Sequence, residues 1–216
     1  MNTQHKYRPQ IIEDFVFSTD RLEQQIQRYA KGKTSRPLIL YGPYGTGKST
    51  LAEIIPKSID GSSVQVTRIK SEDLNSNAEV RKAFTRTKQF DNLFAPEGQS
   101  RNYTIVEEVN FDPKAKGALR TSLDEMEGRD LTIFTTNELH KLDDALLSRA
   151  EVVEVLPAPP DRFLRCAQKI LKAEKVSLED AEVLEVLESV YEIYCDNRAY
   201  YKALDEIIEA AQITSK

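Results

Sequence analysis

The sequence predicts an α/β fold in which a parallel sheet is sandwiched by helices and is followed by a small helical lid domain. Short apolar runs of strand length alternate with segments of helical periodicity, as expected for a parallel sheet covered by helices. A proline cluster at residues 157–160 then ends the strand-like runs, and helical periodicity continues to Ile213. We therefore predict a first domain over residues 1–156 and a helical lid over residues 157–216.

The predicted strands are short and almost continuously apolar, which is typical of strands buried on both faces of a parallel sheet. A helix is expected directly after the first strand, from Gly47, and an amphipathic helix with a basic face is predicted from Ala78 to Asn92. Three short helices are predicted beyond the proline cluster. The strands are assigned to residues 38–41, 63–69, 103–106, 131–135 and 152–156.

The composition is that of an ordinary globular protein. The chain has 216 residues, of which 40% are hydrophobic and 30% charged, and the mean hydropathy is -0.50. No apolar run reaches the roughly 18 residues of a membrane helix, so no membrane partner and a cytoplasmic location are expected. Cys166 and Cys195 are far apart and lack metal-ligand spacing, which predicts buried free thiols. The net charge of -5 restricts any nucleic-acid contact to a local basic patch.

A glycine-rich loop follows the first predicted strand and precedes a helix, which is the context of a phosphate-binding P-loop. It matches GxxxxGK[ST], and its backbone N–H groups would face phosphate oxygens. Lys48 would reach the β and γ phosphates, and Ser49 would hold Mg²⁺. ATP and Mg²⁺ are therefore the predicted ligands. The candidate nucleotide-binding residues of the loop are Gly42, Pro43, Tyr44, Gly45, Thr46, Gly47, Lys48, Ser49 and Thr50.

Two acids, Glu107 and Glu108, follow the apolar strand at residues 103–106. Ligands of α/β sheets bind at the carboxyl ends of the strands, so both acids are expected near the phosphates. Glu107 is predicted to support the metal, and Glu108 to activate the attacking water. The alternative is that both are surface acids at a strand end.

Together these motifs resemble the AAA+ superfamily, and several details resemble the clamp loader branch related to replication factor C small subunits. Tyr7, Arg8 and Pro9 lie in a KYRP sequence similar to the family's signature, whose loop packs against the adenine. The residues Ala118-Leu-Arg120 are similar to the family's ALRR helix. The similarity spans almost the whole chain, from Lys6 to about Ala211.

The same resemblance implies roles for three further polar residues. Asn137 lies in a Thr-Thr-Asn sequence similar to sensor 1, where an Asn helps to place the water. Arg149 lies in a Ser-Arg pair similar to the SRC element, whose Arg reaches the ATP of a neighbouring subunit. Arg198 lies in an Asp-Asn-Arg sequence similar to sensor 2, whose Arg contacts the γ-phosphate of its own subunit.

The chain departs from the family pattern in three ways. The metal-supporting Asp of the family is Glu107, which is one methylene longer, and the Cys of the SRC element is Ala150. The resemblance also ends after the lid, before the helical collar domain of clamp loader subunits. A compact chain of this kind would suit a viral replication system, which would place it in the host cytoplasm.

DNA contacts are predicted on the basic face of the helix between Ala78 and Asn92, although such faces are often only solvated. If the face tracks phosphates, the affinity should depend steeply on salt. The main candidates lie in this helix and the lesser ones follow the acid pair: Arg81, Lys82, Arg86 and Lys88, with Lys114, Lys116 and Arg120.

The resemblance implies an ATP-dependent clamp loader that places a sliding clamp on primer-template DNA, within a ring or spiral of like or related AAA+ subunits. Three alternatives remain open at this point. The first is another AAA+ remodeller such as a helicase loader. The second is a P-loop small-molecule kinase, which the acid pair and Asn137 argue against. The third is a nucleotide-binding scaffold without hydrolysis, which the presence of Glu107 suggests.

Overall fold

The computed structural model describes residues 2–74, 76–84, 101–109, 116–126 and 128–214. Five strands form one parallel sheet in the order β2-β3-β4-β1-β5. The first strand in the chain therefore lies inside the sheet, between β4 and β5, and Ile39 is opposite Phe134 on one side and Val152 on the other. The strands are β1 (Leu38–Tyr41), β2 (Val66–Lys70), β3 (Asn102–Glu107), β4 (Asp130–Thr136) and β5 (Glu151–Glu154).

Helices follow or precede every strand, as parallel connections require. Short 3₁₀ turns lie at Ile12–Asp14, Ser71–Asp73 and Leu139–Lys141. The helices in the first part of the chain are α1 (Thr3–Lys6), α2 (Asp20–Ala30), α3 (Lys48–Asp60), α4 (residues 77–84), α5 (Lys116–Asp124) and α6 (Asp144–Arg149). The helices beyond the sheet are α7 (Pro160–Ala173), α8 (Asp180–Tyr194) and α9 (Asn197–Thr214).

Both faces of the sheet are buried because side chains alternate along each strand. Leu38 and Leu40 of β1 pack into a core with α2 and α3, whereas Ile39 packs on the opposite face. That second core includes Val80 of α4 and Leu119 of α5. Residues of both cores are almost fully excluded from solvent, which explains the apolar runs in the sequence.

The helices α7, α8 and α9 surround a third apolar core of their own. Phe163 stacks on Tyr200 with ring centroids 4.5 Å apart and meets Tyr201 edge to face at 5.5 Å. Tyr7, from the amino-terminal segment, also packs against this core. A separate core is consistent with a lid domain, and the division at residues 156 and 157 stays a prediction.

The predicted fold class is confirmed, while several element ends differ from the expectation. Strand β2 begins at Val66 and not at residue 63, and β5 ends at Glu154 and not at residue 156. The helix expected over residues 78–92 is present over residues 77–84, and the rest of that prediction lies outside the described residues.

Two expectations based on composition are also tested. Both cysteines are free, but the prediction that they are buried was wrong: Cys166 is half-buried, and Cys195 is exposed after the last turn of α8. No helix within the described ranges is long and apolar enough to cross a membrane.

Candidate functional site

A cavity of about 450 Å³ lies where β1, β3 and β4 end. Its lining comes from the amino-terminal loop, the glycine-rich loop, the residues after β3 and β4, and the helices α7 and α9. Distant parts of the sequence therefore meet at one site. Of the predicted site residues, the cavity wall contains Arg8, Pro9, Tyr44, Gly45, Gly47, Lys48, Ser49, Thr50, Glu108, Asn137 and Arg198.

The glycine-rich loop needs glycine at Gly45 and Gly47 for two reasons. Both residues have positive φ, 77° and 96°, in the region that residues with a Cβ seldom adopt. Their Cα atoms also face other groups closely: a Cβ at Gly45 would overlap the Asp196 carboxylate, and one at Gly47 would lie 2.7 Å from Phe15 Cε2. The loop thus turns into α3, which begins at Lys48, with backbone donors free to face an anion.

The ammonium group of Lys48 is held inside this loop. It donates hydrogen bonds to the carbonyl oxygens of Gly42 and Pro43, the former at 2.9 Å, and only 9% of the residue is exposed. Burial first, and then the nearby positive charge of Arg198, lower the pKa of Lys48 to about 8. Asp196 and Glu108 act in the opposite direction. Thr46 is buried below the loop, where its hydroxyl donates to the carbonyl of Pro43.

The two predicted acids after β3 face different surroundings. Glu108 lines the cavity and has a φ of 52°, a conformation that is uncommon outside glycine and often found at functional sites. Its N–H donates to Thr135 Oγ1 at 3.3 Å. Glu107 does not line the cavity, and its carboxylate forms an ion pair with Arg68 at 3.3 Å.

The end of β4 supplies polar groups to the same wall. Thr135, Thr136 and Asn137 all line the cavity, beside the residues that follow β3. The Val109 N–H donates to the Thr135 carbonyl at 2.9 Å, so the two strand ends are held together. The predicted sensor Asn137 is therefore brought to the same cavity as Glu108.

The predicted KYRP residues separate into two groups. Arg8 and Pro9 line the cavity, and Arg8 also pairs with Glu53 of α3 at 2.8 Å. Tyr7 instead lines a neighbouring cavity of about 800 Å³, and its hydroxyl donates to Glu174 at the end of α7. Tyr7 thus attaches the amino-terminal segment to the helical region. It does not face the glycine-rich loop, which we call the phosphate loop below.

The lid reaches the phosphate loop through the first turn of α9. Arg198 lines the cavity, and the Asp196 carboxylate caps the helix by accepting from the Arg198 N–H at 2.7 Å. Asn197 donates from Nδ2 to the Thr46 carbonyl at 3.3 Å.

Arg149 lies away from this cavity, at the end of α6. Its guanidinium forms two hydrogen bonds with the carboxylate of Asp124, at 2.6 and 3.0 Å, and this pairing raises the pKa of Arg149. Arg36 donates to the carbonyls of Ser148 and Arg149 and so caps the same helix end. Arg149 is partly exposed and is not among the residues that line the cavity of its own chain.

The predicted DNA-binding residues are only partly described. Arg81 and Lys82 are exposed on α4, whereas Arg120 forms an ion pair with Asp143 at 2.9 Å. Arg86, Lys88 and Lys114 lie outside the described residues, and Lys116 is placed only as the first residue of α5.

Several residues of the site were not predicted from the sequence. Asn2, Gln4 and His5 line the cavity from the amino-terminal helix, and Phe163 and Tyr201 line it from the lid. Thr3, between them, donates to the carbonyl of Tyr201. None of these residues belongs to a short motif, and proximity in three dimensions is the only signal that reveals them.

Comparisons with known proteins find replication factor C small subunits among the similar sequences. Replication factor C small subunit 1 of Pyrobaculum arsenaticum is 25% identical over 98% of this chain and 62% of its own length. The Replication factor C small subunit of Methanothermobacter thermautotrophicus is 29% identical over 98% of this chain and 63% of its own length. The chain therefore spans slightly less than two thirds of these relatives.

Solved structures share the fold at low sequence identity. The RuvB Holliday junction branch migration motor of Thermotoga maritima superposes with a TM-score of 0.73 at 15% identity, over 97% of this chain and 67% of that one. The family model for the ATPase family associated with various cellular activities (AAA) matches residues 38–158, which is more than half of the chain. The chain therefore belongs to the AAA family and is by class an ATPase.

Proposed function

We propose that this chain is the ATPase module of a clamp-loader-like assembly that places a sliding clamp on primer-template DNA during replication. The observation that carries the proposal is the similarity to replication factor C small subunits over 98% of the chain. The cavity supports it, because it groups Lys48, Glu108, Asn137 and Arg198 from four separate parts of the sequence.

In this proposal the glycine-rich loop and Lys48 bind the phosphates of ATP, and Arg198 approaches them from the lid. The hydroxyl of Ser49 would hold Mg²⁺, with Glu107 as the supporting acid, and the bound ion would neutralise phosphate charge. Ser49 fits this role directly, since it lines the cavity. Glu107 fits it only if its carboxylate exchanges the Arg68 contact for the metal side of the site. Arg8 and Pro9 also line the cavity, and we assign them to the base.

Hydrolysis is assigned to Glu108 and Asn137. Glu108 would accept a proton from the water that attacks the γ-phosphorus, and the bond to the β-γ bridging oxygen would break. Asn137 would orient that water from the end of β4. The left-handed backbone of Glu108 supports the assignment, because such conformations persist where the surrounding structure holds a functional group in place.

The position of Arg149 supports the proposal of oligomeric partners. A side chain at the end of α6, outside its own cavity, is suited to contact the ATP of a neighbouring subunit in a ring or spiral. The Asp124 contact would then be exchanged for the phosphate of that neighbour. We propose like or related AAA+ subunits as these neighbours.

The remaining proposed partners are primer-template DNA and a sliding clamp, and the proposed location is the cytoplasm. The exposed Arg81 and Lys82 are the described candidates for phosphate contacts. The deciding experiment is mass measurement of the assembly with ATP, a sliding clamp from the same source and primed DNA. A defined complex containing all three components supports the proposal. A complex with a hexameric helicase, and none with the clamp, would favour a helicase loader.

The pKa of Lys48 predicts a pH dependence of nucleotide affinity. Phosphates favour the charged amine, so above pH 8 each binding event must include uptake of a proton. We expect the affinity for ATP, measured by titration calorimetry without divalent cations, to fall by up to about tenfold per pH unit above pH 8. Lys48→Arg is the matched control, because a guanidinium stays charged across this range. The same pH slope in both proteins would contradict the prediction.

A second prediction separates hydrolysis from binding. Glu108→Gln keeps the size and shape of the side chain but removes the base, so ATP affinity should stay within about threefold while turnover falls at least about 100-fold. Binding is measured by fluorescence titration and turnover by phosphate release. An unchanged rate would assign the base to another acid. Absence of turnover in the wild-type protein, even with DNA and clamp, would favour the scaffold alternative.

A third prediction concerns the neighbouring subunit. Arg149→Ala should lose about 10³-fold or more in turnover with ATP binding intact, because the transition-state charge loses a cation. Mixing Arg149→Ala subunits with Lys48→Ala subunits creates interfaces at which an intact Arg149 meets an intact phosphate loop. Turnover should reappear in the mixture. If native mass spectrometry shows co-assembly and the mixture stays inactive at every ratio, Arg149 does not act on a neighbour.

A further inference from the structure

The first turn of α9 is bound to two buried backbone segments through one amide side chain. Asn197 donates from Nδ2 to the Thr46 carbonyl at 3.3 Å and accepts at Oδ1 from the Ala158 N–H at 2.8 Å. Thr46 lies inside the phosphate loop, and Ala158 lies in the proline-rich segment between the sheet and the lid helices. Both residues have no exposed surface. A single side chain therefore bridges the loop and the segment that leads into the lid.

A second side chain of α9, that of Tyr200, also binds Ala158. Its carbonyl accepts a buried hydrogen bond from Tyr200 Oη at 2.9 Å, and the Tyr200 ring stacks on Phe163 of α7. Residues 197 and 200 are three apart and so lie on the same face of α9. Side chains of α9 thus satisfy both the N–H and the carbonyl of Ala158. The segment cannot move relative to that helix without breaking one of these two hydrogen bonds.

The residues on either side of Asn197 have different contacts. Asp196 caps the helix and touches Gly45, whereas Arg198 lines the cavity. The start of α9 is consequently held against the phosphate loop by Asp196 and Asn197, and this contact fixes where Arg198 enters the cavity. A displacement of the loop carbonyl at Thr46 would be transmitted through Asn197 to Ala158.

From this geometry we propose that Asn197 is a positioning residue that couples phosphate binding at the glycine-rich loop to the segment at Ala158, and through it to the lid. The inference rests on the proposed function, in that ATP is taken as the ligand of the loop. Asn197 itself also lines the cavity, but the proposal assigns it an action through Thr46 and Ala158 and no contact with the nucleotide.

The test uses three variants of the complete chain. Asn197→Ala removes both hydrogen bonds. Asn197→Asp keeps the size and the acceptor for Ala158 but removes the donor to Thr46, so a carboxylate faces a carbonyl. Gln168→Ala is the matched control, because Gln168 forms its hydrogen bond within the lid, to the Leu178 carbonyl at 3.1 Å. The readouts are hydrogen exchange at the Ala158 amide by NMR, with and without a non-hydrolysable ATP analogue, and the affinity for that analogue.

Without nucleotide, exchange at Ala158 should be at least about tenfold faster in Asn197→Ala than in the wild type or in Gln168→Ala. With the analogue, exchange should slow in the wild type but stay unchanged in Asn197→Asp, which should also bind about tenfold more weakly. Identical Ala158 exchange in the wild type and Asn197→Ala, or an identical response to nucleotide in Asn197→Asp, overturns the inference.

These outcomes are distinguishable from failure of the proposed function. If the wild type and Lys48→Ala bind the analogue equally, the assignment of the phosphate loop fails, and the proposed coupling fails with it. If Lys48→Ala abolishes binding while Asn197→Asp behaves as the wild type, the proposed function stands and only the role of Asn197 is rejected.

Discussion

The site depends on the close approach of two distant parts of the chain to the phosphate loop. The Asp196 carboxylate lies against Gly45, and the Phe15 ring lies against Gly47, at positions where no side chain could be accommodated. These contacts bring the lid and the amino-terminal loop to opposite parts of one short turn. The cavity exists because both can approach the bare backbone, and the same glycines leave its N–H groups accessible to an anion.

The electrostatics of the cavity follow from this packing. Lys48 and Arg198 enter from different elements, and burial, followed by the proximity of the Arg198 charge, lowers the pKa of Lys48 to about 8. Two carboxylates, Asp196 and Glu108, partly compensate. The net charge of the chain is -5, so attraction for a polyanion has to come from local groups of positive charge such as this one. A phosphate chain would relieve the repulsion between the two cations, which makes binding and lid contact mutually favourable.

Local pattern in the sequence was sufficient for the fold and for part of the site. Leu38, Ile39 and Leu40 are all buried, on alternating faces of the sheet, which explains why continuous apolar runs of strand length identified the sheet correctly. Lys48 and Glu108 were located because each follows a strand end, and strand ends of a parallel sheet meet at one edge. Three contacts could not be predicted, because the spacing of residues in the sequence carries no information on which distant side chains meet. They are the pairing of Glu107 with Arg68, the pairing of Tyr7 with Glu174 and the bridge made by Asn197.

The surface position of Arg149 gives the proposed assembly a physical basis. Its partner Asp124 is more than half exposed, and such ion pairs contribute little to stability because both charges remain solvated. Arg36 meanwhile holds the backbone at the end of α6, so the guanidinium can exchange partners while its helix stays in place. A γ-phosphate offers more negative charge than one carboxylate, and a guanidinium binds it in the same bidentate manner. If Arg149 acts on a neighbour as proposed, the exchange of Asp124 for phosphate therefore requires only a side-chain movement, and formation of the interface is the step that makes each site complete.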